Sequence, residues 1–181
     1  FASKKNLYVT DFDRSKIMVF NPGDSLLLEF GTEGRALGEI FQPMGIAVID
    51  AEALDNNYRE DFLVIADDDG QRVSKFSRFG RFIGAQYNFD LSLTSSGFRY
   101  PAIDFFGSIY VTDEVNDQIH KFDRNFNYII SEGRTGTSHG EFAAPRGITI
   151  SRRFGQVFLT EKEGGQYLWI ALDAFLVGCF P

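Results

Sequence analysis

A short apolar run closed by an acid occurs four times in this chain: Val9-Thr10-Asp11, Ile65-Ala66-Asp67, Val111-Thr112-Asp113 and Leu159-Thr160-Glu161. The acid returns at steps of 56, 46 and 48 residues, and nine residues after each acid a second apolar run ends, at Phe20, Phe76, Phe122 and Ile170. A constant internal offset inside a variable repeat length marks one supersecondary unit used four times. Two further runs keep phase with it. Prolines open Pro43-Met44-Gly45-Ile46-Ala47-Val48, Pro101-Ala102-Ile103 and Pro145-Arg146-Gly147-Ile148-Thr149-Ile150, and the units close on Leu26–Phe30, Phe82-Ile83, Tyr128–Ile130 and Phe175–Val177.

Each unit therefore reads as four short strands. The runs are four to six residues long, rich in Val, Ile, Phe and Tyr, and bounded by Gly, Asp and Asn turns. Proline at a strand's first position costs no ladder hydrogen bond. Four antiparallel strands at a period near 45 residues make one blade of a β-propeller. Runs such as Ile129-Ile130 that do not alternate fit blades packed on both faces.

These residues resemble the NHL repeat: an opening Pro-x-Gly-Ile-x-Val, then Val-x-Asp, then Ile-x-Lys-Phe-Asp, then a glycine-rich link ending in Gly-x-Phe. The third unit matches most fully, with Tyr110-Val111-Thr112-Asp113, Gln118-Ile119-His120-Lys121-Phe122-Asp123 and Gly140-Glu141-Phe142. Ala102 stands where other copies carry the glycine, and Glu161 and Trp169-Ile170 depart from Asp and Lys-Phe in the last copy. The resemblance implies an all-β propeller with blades near 1–37, 38–92, 93–138 and 139–181. It also implies a six-bladed ring closed by a strand borrowed from the other terminus. The first unit lacks its opening strand, because Phe1 stands almost directly before Asn6–Val9. The expectation is thus a fragment of a larger propeller, or an arc completed by other chains.

Charge narrows the partners. The chain carries a formal net charge of −7 and a pI near 4.8, so phosphate backbones are repelled over most of its surface. Nucleic acid is disfavoured as a partner. One basic stretch runs against this, Arg72, Lys75, Arg78 and Arg81 interleaved with Phe76, Phe79 and Phe82, and it carries an RNA-binding alternative. No apolar stretch approaches the length needed to span a bilayer, and no signal peptide is visible at the start. A single cysteine, Cys179, permits no internal disulfide and leaves the compartment open.

The turns between second and third strands fall on one face of a propeller: Asp11–Ser15, Asp67–Gln71, Asp113–Asp117 and Glu161–Gly165. The first acid of each turn is expected to accept backbone N–H groups and shape it. Asp67-Asp68-Asp69-Gly70 also gathers hard oxygen ligands of the kind Ca²⁺ takes, which makes Asp67, Asp68 and Asp69 the candidate metal ligands. The enzymatic alternative is a propeller-type metal-dependent lyase or hydrolase; some NHL-like propellers resemble the peptide-amidating lyases, and that resemblance implies a zinc histidine just after the opening proline. The matching positions, taken from the prolines, are Met44, Ala102 and Arg146, and only His120 and His139 are available, fewer than the three protein ligands of a catalytic zinc. Any such metal site would lie in further blades. No Gly-x-Ser-x-Gly elbow is present. The reading is a non-catalytic interaction or scaffolding module that binds protein partners through its loop-bearing rim. Phe12, Asp13, Arg14, Glu114, Asn116 and Lys162 are its partner-facing residues.

Overall fold

The computed structural model describes residues 2–3, 6–51, 59–67, 71–138, 140–151, 156–163 and 167–171. They form four antiparallel sheets, each laid out in chain order. The first holds β1 (Ala2–Ser3), β2 (Asn6–Asp11), β3 (Lys16–Phe20) and β4 (Leu26–Phe30). The second holds β5 (Pro43–Ile49), β6 (Phe62–Asp67), β7 (Arg72–Phe76) and β8 (Phe82–Tyr87). A single 3₁₀ turn, Asn88–Leu91, leads to β9 (Phe98–Ile103), β10 (Ile109–Asp113), β11 (Gln118–Phe122) and β12 (Tyr128–Glu132). The fourth holds β13 (Pro145–Ser151), β14 (Gln156–Glu161) and β15 (Tyr167–Ala171). Among the described residues there is no α-helix, and no helix long and apolar enough to cross a membrane.

Meandering four-stranded sheets packed face to face define propeller blades. The inner strands of successive blades touch one another, β2 against β5, β5 against β9 and β9 against β13. Three apolar layers lie between the blades. Tyr8, Ile17 and Val19 of the first blade meet Val48, Leu63, Ile65 and Phe76 of the second. The second blade's opposite face, with Ala47, Val64, Ala66 and Val73, meets Phe98, Ile109, Val111 and Phe122. Tyr110 and Ile119 then meet Val157 and Leu159. A strand with a blade on each side has no solvated face, so β6 and β10 are buried at every position. The end blades differ. Leu7 and Phe158 face away from the neighbouring blade and are 47% and 40% exposed, and Phe20 is half-buried on that outer face.

Two expectations about strands change in detail. The opening strand of the first blade is a two-residue stub, β1, pairing Ala2 with Leu7 and Ser3 with Asn6. In the third blade Pro101 does not open the strand. Phe98 pairs with Asp113, as Pro43 does with Asp67 and Pro145 with Glu161, while Pro101 lies three residues further on, opposite Val111. Register follows the acid, because that end of the strand carries the repeated turn; proline is merely tolerated there. The closing run at Phe175–Val177 lies outside the described residues.

The first and third links between blades are built alike, whereas the second carries the 3₁₀ turn Asn88–Leu91. Gly31 and Gly133 leave β4 and β12 at φ of 116° and 112°, and a Cβ on them would stand 2.8 Å from the Ser15 carbonyl and 2.6 Å from that of Asp117. Only glycine fits so close an approach. Further on, Glu39 and Glu141 accept the backbone N–H of Ala36 and Ser138, both at 2.9 Å. Ile40 and Phe142 close each link with parallel bridges to Glu33 and Thr135.

Candidate functional site

The links and the ends of β2, β6, β10 and β14 that carry the acids share one end of the blades. The first acid of these turns is consumed in building them. Asp11 Oδ1 accepts the Arg14 N–H at 3.0 Å. Asp113 Oδ1 accepts three backbone N–H groups, from Gly97 (2.8 Å), Val115 (3.0 Å) and Asn116 (3.1 Å). Glu161 Oε1 takes that of Ala143 at 3.0 Å. Asp67 instead holds the buried guanidinium of Arg72, whose Nε donates at 2.8 Å and which also donates to carbonyls of the preceding link. The fourth residue after the acid staples the next blade: Ser15 Oγ accepts from the Gln42 N–H, Asp117 Oδ1 from that of Ala144, and Gln71 donates to Ser96 O.

Of the candidate calcium ligands, Asp67 is 4% exposed and paired with Arg72, while Asp68 and Asp69 lie outside the described residues. Among the described residues no three His, Cys, Asp or Glu side chains group as a metal site. The rim candidates divide. Phe12, at 37% exposure, Asp13 and Arg14 are exposed together in the first turn, and Arg14 leans on Asp11 and Glu29. Lys162 is exposed. Asn116 is tied into its own turn, donating to Asp113 Oδ2 at 2.7 Å and to Ser95 O at 2.9 Å.

Glu114 is the centre of a charged cluster that reading from the prolines missed. Its Oε1 accepts from Arg99 Nη2 at 2.6 Å and its Oε2 from Arg146 Nε at 2.7 Å. Burial acts to raise its carboxyl, but the two guanidiniums outweigh that and hold it below the usual carboxylate range. With the strands aligned on the acid, Met44, Arg99 and Arg146 are equivalent second positions of the inner strands; Ala102 is not. The zinc-histidine position of the lyase alternative thus carries Met or Arg in all three blades. The available signal was the spacing from acid back to strand, not the proline.

A second network lies under the rim. The His120 ring is within hydrogen-bond distance of Ser131 Oγ through Nδ1 (2.6 Å) and of Asp113 Oδ2 through Nε2 (3.1 Å), and Tyr128 Oη joins Ser131 at 2.9 Å. Burial tends to raise Asp113, yet the hydrogen bonds from His120, Asn116 and Gly97 hold it below its ordinary value. The order Ser–His–Asp is that of a nucleophilic triad, but His120 and Asp113 are both 0% exposed and the Phe98 ring stands edge-on to the imidazole. The network ties β10, β11 and β12 together. The basic stretch is also internal for the most part. Arg72 and Lys75 are buried, Lys75 over the Phe62 ring, and Arg78 lies between Asp50 and Asp61. Arg81 and Phe79 remain at the surface.

No protein-family profile matches the chain, and no curated protein sequence matches it. Its fold is found in solved structures. A streptogramin B lyase superposes with a TM-score of 0.62 at 16% identity, over 95% of this chain and 53% of that one. The Kuenenia stuttgartiensis hydrazine synthase gives 0.66 at 13%, over 94% and 44%. The β-propeller domain of Cps50 (Swd1) from Myceliophteria thermophila gives 0.60 at 8%, over 91% and 47%. The chain spans about half the length of these proteins. At such identities the likeness shows the fold alone: this is an all-β chain of propeller blades, consistent with part of a propeller.

Proposed function

We propose that the chain is part of an NHL-type propeller serving as a non-catalytic interaction module, which docks protein partners through the rim of turns and links. The supporting observation is the division of labour within the first turn. The first acid and the fourth residue after it are bound into structure, whereas Phe12, Asp13 and Arg14 stand exposed between them. An exposed aromatic beside an arginine is the composition of interface anchors. A lyase or hydrolase reading draws on the fold shared with streptogramin B lyase and places its metal ligands in further blades. The RNA reading is weakened by the burial of Arg72, Lys75 and Arg78.

Site-specific photo-crosslinking tests the docking rim. A crosslinker at position 12 is expected to capture the same partner from native extract as one at position 162. A crosslinker at position 79, on the opposite end of the blades, is expected not to. Phe12→Ser should abolish capture while shifting the melt by no more than the effect of an ordinary surface substitution, about 0.5 kcal/mol. Capture that is equal from both ends, or a collapsed melt in Phe12→Ser, refutes the reading.

A further inference from the structure

The three contacts between neighbouring blades repeat one pairing of faces. Counted from the acid of each unit, the fourth residue before it and the ninth after it form a cross-strand pair: Leu7 with Phe20, Leu63 with Phe76, and Ile109 with Phe122. This pair marks a receiving face. The third residue before the acid, Tyr8, Val64, Tyr110 or Phe158, stands on the opposite, entering face, because successive strand residues alternate sides. Each contact sets the entering face of one blade on the receiving face of the next. Tyr8 shares a layer with Leu63 and Phe76, Val64 with Ile109 and Phe122, and Tyr110 with Val157. All of these side chains are at most 3% exposed.

One face of each kind is open at the ends of the stack. The first blade offers its receiving face, where Leu7 is exposed beside Phe20 and the next pair, Val9 and Met18, is half-buried. The fourth offers its entering face, where Phe158 is exposed opposite Thr149, with exposed Thr160 further along the same side. The two are complementary in the way the internal faces are: a leucine–phenylalanine pair like Leu63–Phe76, and an aromatic ring where Tyr8 and Tyr110 enter. Complementary faces at opposite ends of one molecule make a heterologous contact, which joins copies head to tail and closes a ring where the rotation allows. Two copies also supply about the length of the streptogramin B lyase and Swd1 chains, of which this chain spans 53% and 47%.

We infer that the fourth blade of one copy seats on the first blade of a second copy, with Phe158 entering against Leu7 and Phe20, and that the copies join head to tail as blades of one ring. The contact uses blade faces and none of the rim turns, so it stands or falls independently of the docking function proposed above. Size-exclusion chromatography with light scattering on the full chain, over a wide range of concentration, tests it. A mass of 20.4 kDa at high dilution and of twice that value in concentrated solution is expected. Leu7→Arg and Phe158→Arg change surface positions of the separate chain, so both should keep the parent's melt in dilute solution while dimerising about 10-fold or more weakly. Mixed in equal amounts, the two variants should dimerise again, because the Phe158 face of one meets the Leu7 face of the other with no arginine between them. Leu7→Gln and Phe158→Gln replace them if an arginine unsettles the melt. Leu27→Arg is the control for general stickiness, since its equivalents Ile83 and Ile129 stay exposed even where blades stack; it should leave assembly unchanged. A 20.4 kDa species at every concentration overturns the inference. So does assembly at the parent's strength in either single variant, a mixture of folded variants that stays monomeric, or an equal loss in Leu27→Arg.

Discussion

Replacing Asp113 tests how the blade turns are held together. Its carboxylate is 0% exposed and accepts five hydrogen bonds: three backbone N–H groups on Oδ1, and Asn116 Nδ2 and His120 Nε2 on Oδ2. Asp113→Ala removes every acceptor at once. A buried donor left without a partner costs about 1–3 kcal/mol; water entering the vacated space relieves some of them, so a total of about 3–5 kcal/mol is expected. For a domain of this size each kcal/mol moves Tm by roughly 2–4 °C, which places the drop at roughly 6–20 °C. Asp113→Asn keeps the Oδ1 acceptor and sets an amide N–H against the Asn116 amide, so about 1–2 kcal/mol is lost. Differential scanning fluorimetry at pH 7 measures both. The pH dependence carries its own sign. Asp113 is held below its ordinary value of 3.8 in the folded chain, so the unfolded chain takes up its proton first as pH falls. Its contribution is whole above the unfolded value and is lost only as pH falls through the folded one. Melts of Asp113→Asn and the parent should therefore differ by a constant amount between pH 7 and pH 5 and converge in more acid solution. An alanine variant melting within about 2 °C of the parent refutes the reasoning.

Phe122 is fully buried between the second and third blades, whereas Phe158 on the outer face of the fourth is 40% exposed. Phe122→Ala should cost about 3–5 kcal/mol and Phe158→Ala less than about 1 kcal/mol, read by urea denaturation; equal losses would contradict the blade order. Millimolar Ca²⁺ should raise the melt by at most a few degrees, because Arg72 already holds Asp67 Oδ2. Coincident melts with and without the ion would remove the Asp67–Asp69 turn as a calcium site.

The repeat was legible because its information is local. The acid, the nine-residue offset and the glycine of the first and third links are set by one turn and one close approach, and these act between residues near in the chain. Asp11 and Asp113 could be assigned to turn-shaping for the same reason: the N–H groups of Arg14, Val115 and Asn116 lie two or three residues downstream. The start of β9 was not legible. Proline suits a strand's first position but does not impose it, so Pro101 drew the strand three residues too far along, and only pairing with β10 places Phe98 opposite Asp113. That shift hid Arg99, and with it the Glu114 cluster, whose members lie 15 and 32 residues apart. Arg72, Lys75 and Arg78 look like a basic surface in the sequence because charge carries no record of burial. Tertiary packing turned them inward, where Asp67, the Arg124 carbonyl, Asp50 and Asp61 offset the cost of desolvation. The sequence by itself determined the four-fold repeat and most of its strands, though not β1 or the start of β9. Which side chains a neighbouring blade covers was decided only when the sheets stacked, since burial is a property of two surfaces and a sequence describes one at a time.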